Sequence, residues 1–142
     1  MKKFIYFALT LIVVWGCGNQ EKNTLRIGCI TILTGDVATY GKETQQGLDL
    51  AIEESNKEKL FGNKKLEIIY EDDKIDAKTG VQAINKLINV DKVPVIIGAF
   101  SSRVTLAIAP IAEKNKVVLL SASATADAIK DAGDFIFRIV PP

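Results

Sequence analysis

Residues 93–125 constrain the fold more than any other stretch of the chain. Val93-Pro94-Val95-Ile96-Ile97 is a continuous apolar run, too short for a buried helix and rich in β-branched residues, so it reads as a strand. It ends at Gly98 and gives way to the small polar loop Ala99-Phe100-Ser101-Ser102-Arg103-Val104-Thr105. A second apolar run, Val117-Val118-Leu119-Leu120, ends in Ser121-Ala122-Ser123-Ala124-Thr125. Two successive strands thus each finish in a hydroxyl-bearing loop that opens a helix. In an open parallel sheet, ligands sit beyond the carboxyl ends of the strands. Loops of this kind offer an anionic group backbone N–H donors, the positive end of a helix dipole and Ser/Thr hydroxyls. The outline is that of a carboxylate-binding pocket.

The flanking sequence repeats the same strand–helix alternation. Residues 25–32 read as a first strand and residues 33–41 as a loop with two glycines. A helical period then sets in at Lys42, with Gly47, Leu48, Ala51 and Ile52 expected inward and Glu43, Asp49, Glu53 and Glu54 outward. Phe61-Gly62-Asn63 ends it with turn chemistry. Residues 66–70 alternate as a strand and run into Glu71-Asp72-Asp73, and Asp76 is placed to cap a helix that buries Val81, Ile84, Leu87 and Ile88. Pro110 is expected to bend or loosen the helix that contains it. A short helix over 127–131 and a fifth strand over 135–139 complete the pattern. The expectation is an α/β fold, an open parallel sheet built from right-handed βαβ units with helices on both faces. The nucleotide-binding versions of that architecture are excluded by motif, because neither G-x-G-x-x-G nor G-x-x-x-x-G-K-[ST] occurs, and the serines form no G-x-S-x-G elbow.

Composition narrows the chemistry further. The 142 residues suffice for one modest core, and a net charge of +1 gives no reason to expect nucleic acid as a partner. The chain has no histidine, which removes the commonest general base and the commonest metal ligand. A serine enzyme built on Ser102 or Ser123 would need a lysine base, and Lys114 and Lys116 lie near the far end of the helix from those serines. Asp72 and Asp73 are neighbours whose side chains point apart, with no further cluster to complete a metal site, so no metal or cofactor is expected. Cys29, between Gly28 and Ile30, reads as a small core residue, and no disulfide is expected. Ahead of the fold, Lys2 and Lys3 precede a twelve-residue, largely apolar run ending at Trp15, which fits a signal-peptide core better than a bilayer span. Val14-Trp15-Gly16-Cys17 resembles the bacterial lipoprotein box, which implies acylation at Cys17, removal of residues 1–16 and a polar tether over residues 17–24. An ordinary secretory signal or an N-terminal membrane anchor is the competing reading.

The domain, residues 25–142, resembles the leucine/isoleucine/valine-binding proteins of bacterial ABC transporters, which have the type I periplasmic-binding fold. The likeness is carried by Ile27-Gly28, Leu33-Thr34-Gly35, Tyr40-Gly41, Gly47 with Ala51, Asp72-Asp73, Ile97-Gly98 with Ser101-Ser102, Ala109-Pro110 and Ser121-Ala122-Ser123-Ala124-Thr125. Members of that family are longer, with two lobes and a hinge, so this chain is expected to span the first lobe only. The resemblance implies an extracytoplasmic receptor that hands an amino acid to permease subunits and is held at the membrane by its lipid. It assigns the ligand carboxylate to Ser102, the ligand ammonium to the Ser123 carbonyl, both groups to Thr125 and the ligand side chain to Tyr40. Ser101 and Ser121, in the same two loops, complete the implied ligand-binding set. Read without the resemblance, Ser102 is a helix-capping serine, Ser121, Ser123 and Thr125 are turn residues, and Tyr40 is a packed aromatic. Arg103 either faces solvent or adds a charge for an acidic ligand. A sensor built on the same fold is the alternative function, and a serine-dependent α/β enzyme a remote one. Tyr40, Ser102, Ser123 and Thr125 are expected to meet in one shallow depression on the carboxyl edge of the sheet.

Overall fold

The computed structural model describes residues 23–141, so the signal-like segment and Cys17 lie outside the described residues. Five strands form one sheet: β1 (Thr24–Thr31), β2 (Lys65–Asp72), β3 (Val95–Gly98), β4 (Val118–Ser121) and β5 (Ile136–Arg138). Their order across the sheet is β2-β1-β3-β4-β5, with every neighbouring pair parallel. Three α-helices make the crossovers: α1 (Ala38–Lys57), α2 (Ala77–Asn89) and α3 (Ser102–Asn115). A 3-10 turn at Asp127–Asp131 links β4 to β5. The α/β open parallel sheet expected from the sequence is therefore the observed one.

Residues in register on a parallel sheet point to the same face, and this sorts the core. Ile30, Ile96, Leu119 and Ile136 face α2 and α3, where Ile84, Leu87, Val104 and Ile108 meet them. Most of these side chains are fully buried, and each such aliphatic group contributes on the order of 2 kcal/mol. The opposite face carries Cys29, Ile97, Leu120 and Phe137, and α1 lies on that side against β2. Toward β5 this face opens to solvent, and Phe137 and Ile139 are exposed. Helices thus lie on both faces, but the coverage is uneven. Among the described residues no helix is long and apolar enough to cross a membrane.

Helix α2 starts as its sequence dictates: Asp76 Oδ1 accepts from the Thr79 N–H at 2.8 Å, and Ile84, Leu87 and Ile88 are buried. Helix α3 runs on through Pro110, whose ring sits on the exposed side. Helix α1 departs from expectation in two ways. It begins at Ala38 rather than Lys42, and Gly47 and Ala51 are exposed instead of inward. Leu48 and Ile52 do face inward, half-buried, but the inward line continues through Gly41 and Asn56 rather than Gly47 and Ala51. Asn56 fixes that phase: its amide accepts from the Leu66 N–H at 2.7 Å and donates to the Leu66 carbonyl at 2.9 Å, pairing α1 with the start of β2. Gly41 is not a loop glycine. It is buried where the first turn of α1 crosses the end of β1, and a Cβ there would run into the Ile32 carbonyl.

Candidate functional site at the carboxyl edge

The loops after β3 and β4 are joined by serine hydroxyls. Ser101 caps α3, its Oγ accepting from the Val104 N–H at 3.3 Å. The capping role that local sequence offered to Ser102 therefore falls one residue earlier. Ser102, the first residue of α3, reaches across instead, and its Oγ accepts from both the Thr125 and Ala126 N–H groups at 3.1 Å. Ser121 is fully buried; its hydroxyl donates to the Ala99 carbonyl at 3.0 Å and accepts from the Ala124 N–H at 3.1 Å. Ser123 donates to the Phe100 carbonyl at 2.9 Å. Ser121 thus builds its loop from beneath, and the Ser101 hydroxyl is spent on the helix cap. A hydroxyl oxygen that accepts two N–H groups keeps its own proton free to donate. That leaves Ser102 as a donor, fixed on the carboxyl edge, for an acceptor arriving from solvent.

Tyr40 approaches the same edge from β1. It sits in the first turn of α1, not in the preceding loop, and remains 53% exposed. Its ring packs on Phe100 with centroids 5.4 Å apart and planes tilted by 30°. Beside this pair is a depression of about 240 Å³ whose walls include Thr31, Thr44, Ile97, Phe100 and Ser123. Of the four residues expected to cluster, Ser123 lines the depression itself, and Tyr40 adjoins it through Phe100. Ser102 and Thr125 are bonded to each other on the same edge, next to Ser123. Sequence reasoning missed Phe100, Thr31 and Thr44. Phe100 carried a signal, being the single aromatic in a loop of small residues. Thr44 carried none once α1 had been started too late.

The acids behind the edge hold backbone. Asp72 accepts from the Leu33 and Lys74 N–H groups at 3.0 Å and from the Thr34 hydroxyl, fixing the loop that leads to Tyr40. Burial pushes its carboxyl up, but these donors outweigh burial and hold it below the usual range. Asp73 is fully buried, with Oδ1 accepting from the Ile75 N–H at 2.8 Å and Oδ2 unpartnered among the described residues. Burial, with Asp72 and Asp76 close by, pushes its carboxyl up. Among the described residues no group of three or more acids and cysteines is placed to hold a metal ion. Burial, followed by the charges of Asp73 and Asp49, pushes the Cys29 thiol up to about 12, so it stays protonated as an inert core residue. The exposed Arg103 donates to the Ile75 carbonyl and ties the first turn of α3 to the loop after β2. The Ser102 proton can donate to an acceptor at this edge, whereas a serine whose oxygen accepts two amide protons is a poor nucleophile.

A family model for periplasmic binding proteins matches residues 24–141. The chain is 33% identical over 135 residues to the leucine-, isoleucine-, valine-, threonine- and alanine-binding protein of Pseudomonas aeruginosa, an alignment covering 94% of this chain and 36% of that protein. Among solved structures it resembles the branched-chain amino acid substrate-binding protein LivJ of Streptococcus pneumoniae, in complex with isoleucine, with 30% identity and a TM-score of 0.73 over 81% of this chain and 33% of that one. It resembles equally a solute-binding protein from Rhodopseudomonas palustris in complex with 3,4-dihydroxybenzoic acid, with 30% identity and a TM-score of 0.73 over 84% and 32%. The chain spans about a third of the length of the curated relatives it matches. With the parallel sheet, the loop serines and the family match all in agreement, the chain belongs to the periplasmic binding protein family and has the type I fold of its leucine/isoleucine/valine-binding members.

Proposed function

We propose that this chain is one ligand-capturing lobe of an extracytoplasmic substrate-binding protein that serves an ABC transporter for branched-chain or related amino acids. The observation that carries the reading is Ser102, whose two accepted N–H groups leave its proton to donate at the carboxyl edge. Isoleucine and 3,4-dihydroxybenzoic acid, bound by the two structures above, differ in everything but a carboxylate. A donor for that shared group is what a lobe of this family would need. Tyr40 and Phe100 offer an apolar surface for an aliphatic side chain, and the Ser123 carbonyl is the candidate partner of the ammonium. Titration of the isotope-labelled chain with L-leucine tests this. Shifts are expected at the amides of residues 100–102 and 123–126, and Ser102→Ala is expected to weaken binding about fivefold, the worth of one hydrogen bond of about 1 kcal/mol that stays open to water. Shifts confined to other edges of the sheet would remove the basis for the site.

We also propose that the lobe is held at the membrane through acylated Cys17, on the strength of the charged, apolar and Gly16-Cys17 segments in order. In a bacterial host the product is expected to fractionate with membranes, and Cys17→Ser to release it or block its processing. Normal cutting and continued membrane retention of Cys17→Ser would rule the anchor out.

A further inference from the structure

Arg138, on β5, is a residue to which neither loop pattern drew attention, yet its side chain is only 10% exposed and reaches the site from behind. Its Nη1 donates to the Thr125 carbonyl at 2.9 Å and to the Ala126 carbonyl at 3.1 Å. Its acidic neighbour, Asp127, stands 3.9 Å away with a side chain 77% exposed, so solvent screens that partner and leaves the guanidinium charge mostly uncompensated. The Thr125 carbonyl and the Ala126 N–H belong to one peptide unit. That peptide is therefore gripped at both ends, its carbonyl by Arg138 and its N–H by Ser102 Oγ.

The order of the bonds matters. A cation draws electron density from the carbonyl it touches, which makes the N–H of the same peptide more acidic. That N–H in turn draws density from Ser102 Oγ, so the remaining hydroxyl proton becomes a stronger donor. Every link polarises the next in the same sense, which is the condition for cooperative strengthening in a hydrogen-bonded chain. A donor strengthened in this way gains most against an ionised acceptor. We infer that Arg138 is a positioning residue of the ligand site, acting through the Thr125–Ala126 peptide on Ser102, and that it makes the site selective for an ionised carboxylate over its neutral isosteres. The inference rests on the carboxylate reading of Ser102 proposed above.

The probes are L-leucine and L-leucinamide at a pH of about 6, where both carry the ammonium; they share the side chain and present Ser102 with a carboxylate and a neutral carboxamide respectively. Dissociation constants come from amide-shift titrations of the full 142-residue chain in detergent, for the wild type, Arg138→Gln, Arg138→Lys and Ser102→Ala. Glutamine keeps a donor for one carbonyl without the charge; lysine keeps the charge without the planar fork. The wild type is expected to prefer leucine, and Arg138→Gln to reduce that preference about fivefold while leucinamide binding changes less than about twofold. Arg138→Lys is expected to retain the preference within about twofold. An unchanged preference in Arg138→Gln, or equal loss for both ligands, overturns the inference, since either outcome makes Arg138 a structural strut only. Should Arg138→Gln not fold, the lysine variant carries the test, with loss of the preference overturning the inference. A wild type without preference, or insensitivity to Ser102→Ala, would overturn the carboxylate reading itself and this inference with it. That result is recognisable because it appears before Arg138 is touched.

Discussion

Gly98→Ala is expected to cost about 3 kcal/mol or more of stability and to lower the thermal midpoint by about 10 °C. Gly98 closes β3 opposite Ile30 of β1, at the centre of the sheet, with φ at +128°. That backbone region is essentially reserved for glycine. The space is closed as well, because a Cβ at Gly98 would meet the Ile30 carbonyl, which is backbone and cannot rotate away. Both penalties fall at the point where β3 turns into the loop that holds Ser101 and Ser102. Loss of ligand shifts at Ser102 is therefore expected even where the variant still folds. Gly47→Ala is the control of opposite sign. Gly47 is exposed within α1 with nothing near its missing side chain, so alanine there gains helix propensity, about 1 kcal/mol. Thermal melts followed by circular dichroism read both. Equal midpoints for Gly98→Ala and the wild type would show that the β1–β3 approach is looser than drawn.

The contrast between those two glycines also explains which parts of the molecule were legible in the sequence. Strands β3 and β4 were, because short β-branched runs bounded by polar loops leave few other readings, and their parallel pairing follows from the intervening helix. Asp76 was legible as a cap for the same reason: capping is local chemistry. The start and phase of α1 were not. Gly41 and Gly47 are identical letters, and only the packing of α1 across the end of β1 makes the first buried and the second exposed. Tyr40 was consequently placed in a loop when it belongs to a helix. At the site, sequence supplied the hydroxyls but not their division of labour. Ser101 and Ser102 are adjacent and chemically equal, yet one caps α3 and the other bridges to Thr125, a distinction made by a partner 23 residues away. Ser121 was counted with the ligand set because its loop was, although its register beside Arg138 turns it inward. Long-range partners such as Arg138 leave no local periodicity to read.

Affinity is where a span of about a third of the relatives' length should tell most. In the isolated chain the candidate site is a single wall: Tyr40 and Thr125 are exposed, and the depression beside Tyr40 and Phe100 stays open to water. A ligand there gains three or four hydrogen bonds worth about 1 kcal/mol each after exchange with water, while association itself costs at least about 4 kcal/mol. A modest apolar contact with Tyr40 and Phe100 adds about 2 kcal/mol, which leaves dissociation constants of about tens of millimolar or weaker for L-leucine and related amino acids. Small-molecule sites that bind tightly bury about 70–90% of their ligand, and a second wall is the direct way to reach that figure. Enclosure also removes water from the Ser102 contact, where a charge-assisted bond is roughly twice as strong as a neutral one. Joining the chain to a second lobe, taken from a relative such as the Pseudomonas aeruginosa protein, is therefore expected to tighten binding about a thousandfold, equivalent to about 4 kcal/mol. Calorimetry on the chain alone and on the joined form, with leucine, isoleucine and glutamine as ligands, measures the difference. Micromolar affinity in the chain alone would make the site self-contained and defeat the single-wall argument. No gain on joining would mean that the carboxyl edge is not the face a second lobe closes upon.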